Sequence, residues 1–268
     1  TPGFTGSPLD RADHIRSDLD AFNKLLNDWR GQFLSLSGLD PDLTPEGTLI
    51  WKSMADAPVE GEFILLGLHE DKPHFTMVVD VEAGPMRSPR VFQALSLLPA
   101  HEAAIYGAAR SVIEWHNTHR YCGRCGGTTK AFRAGWGRRC TACNVEHFPR
   151  TDPVVIMLAE HDGKVLVGRQ PRFPAGNYSA LAGFLEPGES IEEAVRRELW
   201  EESGVKCGAV RYITSQPWPF GGAQLMIACV AETDNPALTI DTNELEDAMW
   251  VTRDDCIARI EAEGLPVP

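Results

Sequence analysis

Apolar residues along this chain recur at two spacings, and the switches between them outline the elements. Residues 63–68 (Phe-Ile-Leu-Leu-Gly-Leu) and 74–81 (His-Phe-Thr-Met-Val-Val-Asp-Val) are short apolar runs parted by a polar turn, which predicts two strands. A stretch with Pro and Ser, 84–89, interrupts the pattern. From 99 to 119 the positions Ala103, Ala104, Ala108, Val112 and Trp115 recur at helical spacing. Beyond residue 151, runs at 153–159 and 164–168 flank a Glu-His-Asp-Gly turn at 160–163 and predict a hairpin. Further strands are expected near 210–214 and 225–231. Between them, Ser190 and Glu193 carry the S-x-x-E signature of a capping box, ahead of Ile191, Ala194, Val195 and Leu199. Gly204 supplies a stop. This predicts a helix with its apolar stripe buried and its acidic side facing outward. The order of elements predicts an α+β protein in three parts. An N-terminal α/β domain occupies 1–118, a cysteine-rich segment 119–150, and a helix-flanked mixed sheet 151–268.

Composition removes several function classes. The 268 residues allow one large domain or two smaller ones, and the net charge of -13 argues against non-specific coating of nucleic acid. No apolar run approaches the ~18 residues of a membrane span, and no signal peptide is read at the start, so no membrane partner is expected. The chain does not begin with Met and stops at residues 264–268 (Gly-Leu-Pro-Val-Pro), so further residues are expected beyond both ends.

Seven cysteines disfavour a complete disulfide framework. Cys122-x2-Cys125 and Cys140-x2-Cys143 are two matched pairs, each aiming two sulfurs at one point. Together they predict one tetrahedral, structural Zn²⁺, in preference to a redox pair or two disulfides. Cys207, Cys229 and Cys256 read as ordinary reduced thiols, which together with the zinc pairs points to a reducing cytoplasm. Residues 119–150 hold seven Lys/Arg against one acid, Glu146, a net of +6. That surplus is read first as balancing an acidic neighbouring domain, and alternatively as attracting a polyphosphate or an RNA end.

The strongest chemical signal is the acidic helix. Glu198, Glu201 and Glu202 stand at i, i+3 and i+4, so a helix projects three mutually repelling carboxylates from one side. A Glu-rich helix is commonly just a solvated face. Hard oxygen ligands so arranged nevertheless suit Mg²⁺ or Mn²⁺, with substrate phosphates completing the shell.

The full spacing is Gly183-x5-Glu189-x7-Arg197-Glu198-Leu199-x-Glu201-Glu202-x-Gly204-Val205, which resembles the Nudix box. Three further features narrow the resemblance: the four-cysteine ribbon, the joining segment 146–153 (Glu-His-Phe-Pro-Arg-Thr-Asp-Pro), and 215–220 (Ser-Gln-Pro-Trp-Pro-Phe) ten residues after the box. Together they resemble the NADH pyrophosphatase (NudC-type) family over residues 100–252. The resemblance implies a Nudix α/β/α sandwich with a mixed sheet, preceded by a zinc ribbon and an N-terminal α/β domain. It implies hydrolysis of NAD(H) to AMP and nicotinamide mononucleotide, with NAD-capped RNA as an alternative substrate, and a homodimer.

By the same resemblance, Ala182 (through its carbonyl), Glu198, Glu202 and Glu244 are candidate ligands for Mg²⁺ or Mn²⁺, with Glu201 or Glu244 as base. Gly183, Glu189 and Arg197 support them. Phe148, Phe184, Gln216, Pro217, Trp218, Pro219 and Phe220 are candidate substrate contacts, with core packing the alternative for Trp218 or Phe220. Three departures from the pattern stand out: residues 221–224 (Gly-Gly-Ala-Gln), Phe148 in place of a Tyr, and the lack of a C-terminal helix. Other readings are hydrolysis of ADP-ribose or another dinucleotide, a nucleotide sensor with a nucleic-acid-binding ribbon, and a ribbon that docks proteins.

Overall fold

The computed structural model describes residues 2–81 and 88–263. Most of the interrupting stretch 84–89, and the terminal run 264–268, lie outside the described residues. The chain divides into two compact units, Thr1–Asp152 with Pro217–Gln224, and Pro153–Gln216 with Leu225–Pro268. The N-terminal region and the cysteine-rich segment therefore share one unit.

In the first unit a four-stranded sheet runs in the order Trp51–Ser53, Gln32–Leu34, Lys72–Met77, Phe63–His69. It is mixed: Gln32–Leu34 pairs parallel with Lys72–Met77 and antiparallel with Trp51–Ser53. The second expected strand begins two residues early and ends at Met77, after which the Val78 N–H turns to the Glu62 carbonyl. The helix expected at 99–119 spans Ala100–Thr118, following Pro99, whose ring cannot donate in a first turn. Its Tyr106, Ala109 and Ile113 are fully buried against Leu34, Ile64 and Leu66. Several helices escaped the hydrophobic pattern, among them the short Asp13–Arg16 and, where no C-terminal helix was expected, Arg253–Glu263. Leu19–Leu26 is capped by the Asp18 carboxylate on Ala21 N, and Pro89–Leu97 by the Ser88 hydroxyl on Val91 N.

The ribbon (strands Thr129–Phe132, Gly137–Cys140 and Glu146–His147) is fastened to this sheet by a buried polar network. Arg138 donates through Nε to Thr129 Oγ1 (2.7 Å), through Nη2 to the Thr129 carbonyl (2.8 Å) and through Nη1 to Glu62 Oε2 (2.8 Å). Its Nη1 also meets His116 Nδ1 at 2.7 Å, which makes that nitrogen the acceptor and leaves Nε2–H to donate to the Gly135 carbonyl at 2.8 Å. Burial then holds His116 neutral, with its pKa pushed down to about 4.

The second unit is built on strands ordered Val210–Trp218, Gln224–Glu232, Asp152–His161, Lys164–Arg169, Asp247–Thr252, with Leu181–Phe184 paired to Asp152–His161. The expected hairpin forms with a two-residue turn, Asp162-Gly163, both at positive φ (45° and 73°). Val155, Met157, Ala159 and Leu166 pack beneath Ala194, Val195 and Leu199 of the helix Ile191–Ser203.

Candidate active site

The acidic helix is defined at both ends by the residues that predicted it. Ser190 Oγ accepts from Glu193 N (3.3 Å) while Glu193 Oε2 accepts from Ser190 N (2.7 Å). Gly204 closes the helix in the left-handed region at φ 71°, where its missing side chain also makes room for Thr239.

The acidic side does not all face outward, which corrects one expectation. Glu201 is exposed, but Glu198 is only 9% and Glu202 only 3% exposed. Glycine at 183 is the reason Glu198 can lie inward. Leu181–Phe184 sets Gly183 opposite Val155, and a Cβ there would stand 1.9 Å from Glu198 Cδ and 2.0 Å from Oε1. The carboxylate thus lies directly on bare strand backbone.

Arg197 holds the arrangement in tension. It donates to Glu189 twice (Nε to Oε1 2.6 Å, Nη2 to Oε2 2.8 Å), to Glu198 Oε1 (2.7 Å), to Glu201 Oε2 (3.0 Å) and to the Phe184 carbonyl (2.9 Å). These bonds, Glu189's first, raise the already high pKa of Arg197, and the same pair draws Glu189 down to about 2. Glu189 also accepts from Glu186 N at 2.9 Å, fixing the turn that leads into the helix.

Glu202 has no such partner. Among the described residues nothing donates to its carboxylate. Burial, then the charges of Glu198, Glu244 and Glu201, push it up to about 8. Burial likewise raises Glu198, against the pull of Arg197. Glu244 is exposed and lies in a turn braced by Glu244 N and Leu245 N on the Asp241 carbonyl. Leu245 is buried beneath it. Main-chain hydrogen bonds tie its loop to the end of the acidic helix: Thr239 N donates to Ser203 O (2.8 Å) and Asp241 N to Glu202 O (3.0 Å). Those are carbonyls of the last helical turn, which need partners from outside the helix.

Ala182 is the neighbour of Gly183 on the same strand, opposite Ile156. A half-buried carbonyl, two buried glutamates and a third from the loop are an all-oxygen donor set of the kind Mg²⁺ and Mn²⁺ take.

The ribbon sulfurs are already gathered. All four ligand atoms lie within 4.8 Å of one another, the one such cluster of His, Cys, Asp or Glu groups among the described residues. Sγ–Sγ separations are 3.7 Å for Cys122–Cys143, 3.5 Å for Cys125–Cys140 and 3.4 Å for Cys125–Cys143. A tetrahedron with Zn–S near ~2.3 Å has edges of about 3.8 Å, so the four thiols fit one Zn²⁺ with no ligand position left open. Both knuckles turn through a residue at positive φ, Gly126 (74°) in one and Asn144 (59°) in the other.

The aromatic candidates fall in different places. Phe184 is exposed at the end of its strand, and Gln216 is half-buried on Val210–Trp218. Phe148, half exposed, lies 5.9 Å from the Phe132 ring in the first unit. Pro217, Trp218, Pro219 and Phe220 also belong to that unit. Phe220 is 3% exposed and packs edge-on to Phe4 (5.9 Å) and Trp218 (5.2 Å), with the Arg110 guanidinium 5.0 Å from its ring. Arg110 also donates to the Pro219 carbonyl at 2.9 Å.

Family models match along most of the chain. They are an NADH pyrophosphatase-like rudimentary NUDIX domain over 25–115, an NADH pyrophosphatase zinc ribbon domain over 117–148 and a NUDIX domain over 149–266. The NAD-capped RNA hydrolase NudC of Chromobacterium violaceum is 37% identical over 205 residues, covering 76% of this chain and 75% of that protein. The chain belongs to the NADH pyrophosphatase family of Nudix hydrolases. The human NAD-capped RNA hydrolase NUDT12 is 48% identical over 174 residues, which cover 61% of this chain and 37% of that protein. The alignment thus spans little more than a third of the human relative's length. Among solved structures, a NUDIX hydrolase from Nitrosomonas europaea aligns at 19% identity and TM-score 0.42, covering 51% of this chain and 79% of that one.

Two features, one at the acidic helix and one in the ribbon, were missed by sequence reasoning. The Thr239 and Asp241 anchors are backbone contacts and leave no side-chain signal. His147 was visible in the joining segment, but only the fold shows its Nε2 at 3.3 Å from Cys122 Sγ. Burial opposes ionisation of Cys122, but donors at Arg124 N, Cys125 N and then His147 bring its thiol down to about 6.

Proposed function

We propose that this protein hydrolyses the pyrophosphate of NAD(H), yielding AMP and nicotinamide mononucleotide, with Mg²⁺ or Mn²⁺ at the acidic helix and a structural Zn²⁺ in the ribbon. The observation that carries the reading is the buried pair Glu198 and Glu202, the first pressed against Gly183 and the second without a donor to its carboxylate among the described residues. A fold that sustains such repulsion is built to be completed by divalent cations.

The Ala182 carbonyl, Glu198, Glu202 and Glu244 would hold those ions, which would supply charge neutralisation of the diphosphate and a lowered pKa for water. Arg197 keeps the Glu198 and Glu201 carboxylates in fixed orientations, so little reorganisation is needed as charge develops on phosphorus. Glu201 or Glu244, both exposed, takes the proton of the attacking water. Phe184, Phe148, Gln216, Pro217, Trp218 and Pro219 are the proposed contacts to the dinucleotide. The buried, T-stacked Phe220 serves to hold Trp218 rather than to stack on a base. The protein works as a homodimer in the cytoplasm, and its cysteines suit that reducing compartment.

The names of the relatives favour a second substrate, the NAD cap of an RNA 5′ end, which presents the same pyrophosphate. Incubation with NADH and Mn²⁺, followed by chromatography, tests the reading, and absence of AMP refutes it. Parallel rates on NAD-capped RNA rank the two substrates, and elution volume against mass tests the dimer.

A further inference from the structure

Arg16 is buried without adequate neutralisation. Its side chain is only 10% exposed, and its guanidinium carbon stands 4.1 Å from the centroid of the Trp136 ring. Nε and Nη2 are both sealed from solvent and have no hydrogen-bond partner among the described residues. The acid that acts on Arg16 is Asp13, 4.0 Å from Nη1; it is itself 73% exposed and already bound by Arg133 at 2.8 Å. Arg11 approaches the same Trp136 ring at 5.5 Å. Arg16 and Arg133 thus share the Asp13 carboxylate, a surplus of one positive charge, and Arg11 stands beside the same ring. Burial first, and then Arg11, brings Arg16 down to about 10.

The surplus cannot relax by moving the ring beneath it. Trp136 Nε1 donates to the Leu65 carbonyl (2.7 Å), and Leu65 N donates to Ala134 O (3.0 Å). A Cβ on Gly135 would meet Ile64 Cγ1 at 2.7 Å, so the ribbon tip sits directly on the sheet. A buried cation in a rigid setting is sustained by a partner of opposite charge.

Beside Arg16 lies a cavity of about 620 Å³, within the usual size of small-molecule sites. Phe22, Leu26 and Phe63 contribute an apolar lining, and Arg16, Arg133 and Arg139 line it as well. Its two acids are spoken for: Glu62 pairs with Arg138 and Glu146 with Arg139. What remains is a cationic edge, Arg16 and Arg133 with the single carboxylate of Asp13 between them, over an apolar floor.

We propose that this cavity binds a phosphate monoester with a flat apolar body, the class of a mononucleotide, its phosphate meeting Arg133 and Arg16 Nη1, the one guanidinium nitrogen of Arg16 that is not sealed, and its body lying on Phe22, Leu26 and Phe63. The site lies wholly in the first unit and does not depend on the hydrolytic reading. Isothermal calorimetry on the full chain tests it, in buffer free of Mg²⁺ and Mn²⁺ so that the glutamate centre repels anions, with chloride held constant.

AMP is expected to bind, and to bind about tenfold or more tightly than inorganic phosphate, since only AMP reaches the apolar floor. Arg16→Met and Arg133→Met each weaken AMP by about tenfold or more, the loss expected for one charge-assisted hydrogen bond. Should Arg16→Met fail to fold, the more exposed Arg133→Met decides alone. No AMP binding, AMP affinity unchanged by the substitutions, or phosphate binding as tightly as AMP each overturns the assignment.

Discussion

Replacing Glu202 by Gln isolates the electrostatic cost that the acidic helix carries. In protein free of Mg²⁺ and Mn²⁺, burial and the neighbouring glutamates raise the Glu202 carboxyl from its ordinary 4.5 to about 8. A folded-state pKa above the unfolded one means that the native state holds its proton more tightly. The stabilisation is therefore complete below about pH 4.5 and lost as pH rises through about 8. At about 1.4 kcal/mol for each pH unit between the two values, the ceiling is roughly 4–5 kcal/mol. Rotation of the side chain toward water reduces it.

Gln is neutral throughout, so the variant escapes this loss. Urea denaturation should find the two proteins within about 1 kcal/mol at pH 5, and the variant more stable by roughly 2–4 kcal/mol at pH 9. Parallel stability–pH curves for the two proteins would refute the reasoning. With cation present the sign reverses. Mn²⁺ restores the wild-type protein at pH 9 and releases a proton near pH 7, while the variant gains little. Hydrolysis by the variant falls by at least the ~100-fold that follows loss of an outer-shell partner of a metal ligand.

Three further tests follow from the same geometry. Gly183→Ala puts a methyl 1.9 Å from Glu198 Cδ, so it should cost about 1–3 kcal/mol in thermal denaturation and abolish turnover; an active, equally stable variant would show that Glu198 does not rest on the strand. Arg197→Lys keeps the charge but loses the fork that spans Glu189, Glu198 and Glu201, and kcat for NADH should drop about 10–100-fold with the box helix intact by circular dichroism. Zinc removal by a strong chelator should release one metal per chain and loosen the ribbon, read by Trp136 fluorescence, because the Trp136 indole is pinned to the Leu65 carbonyl at the ribbon tip.

Legibility in the sequence followed how local the determining physics was. The capping box at Ser190, the Gly204 stop, the Asp162-Gly163 hairpin and the paired cysteines are signals within a few residues of one another. Each appears where its spacing predicts it. The inward turn of Glu198 and Glu202 was not readable, because it depends on a bare backbone fifteen residues away at Gly183 and on a loop that joins the helix end from residue 239 onward. Periodicity also failed where elements are short. Strands such as Gln32–Leu34 and Trp51–Ser53 hold three residues each, too few to establish an alternation. The segment 215–220 reads as one motif, yet its residues divide between two compact units and range from exposed at Pro217 to buried at Pro219 and Phe220. Composition cannot report that.

The two main-chain bonds that hang the Glu244 loop on the end of the acidic helix have a mechanical consequence. Since Thr239 and Asp241 grip the carbonyls of Ser203 and Glu202, any sway of the helix tip carries the loop along. The carboxylates then ride as one rigid lever, and their mutual spacing is insulated from breathing elsewhere in the sheet. Because the grip uses peptide groups, the exposed side chains of Asp234 and Ala237 can be exchanged without loosening it, whereas Asn235 accepts from Ala237 N and Leu238 packs on the core.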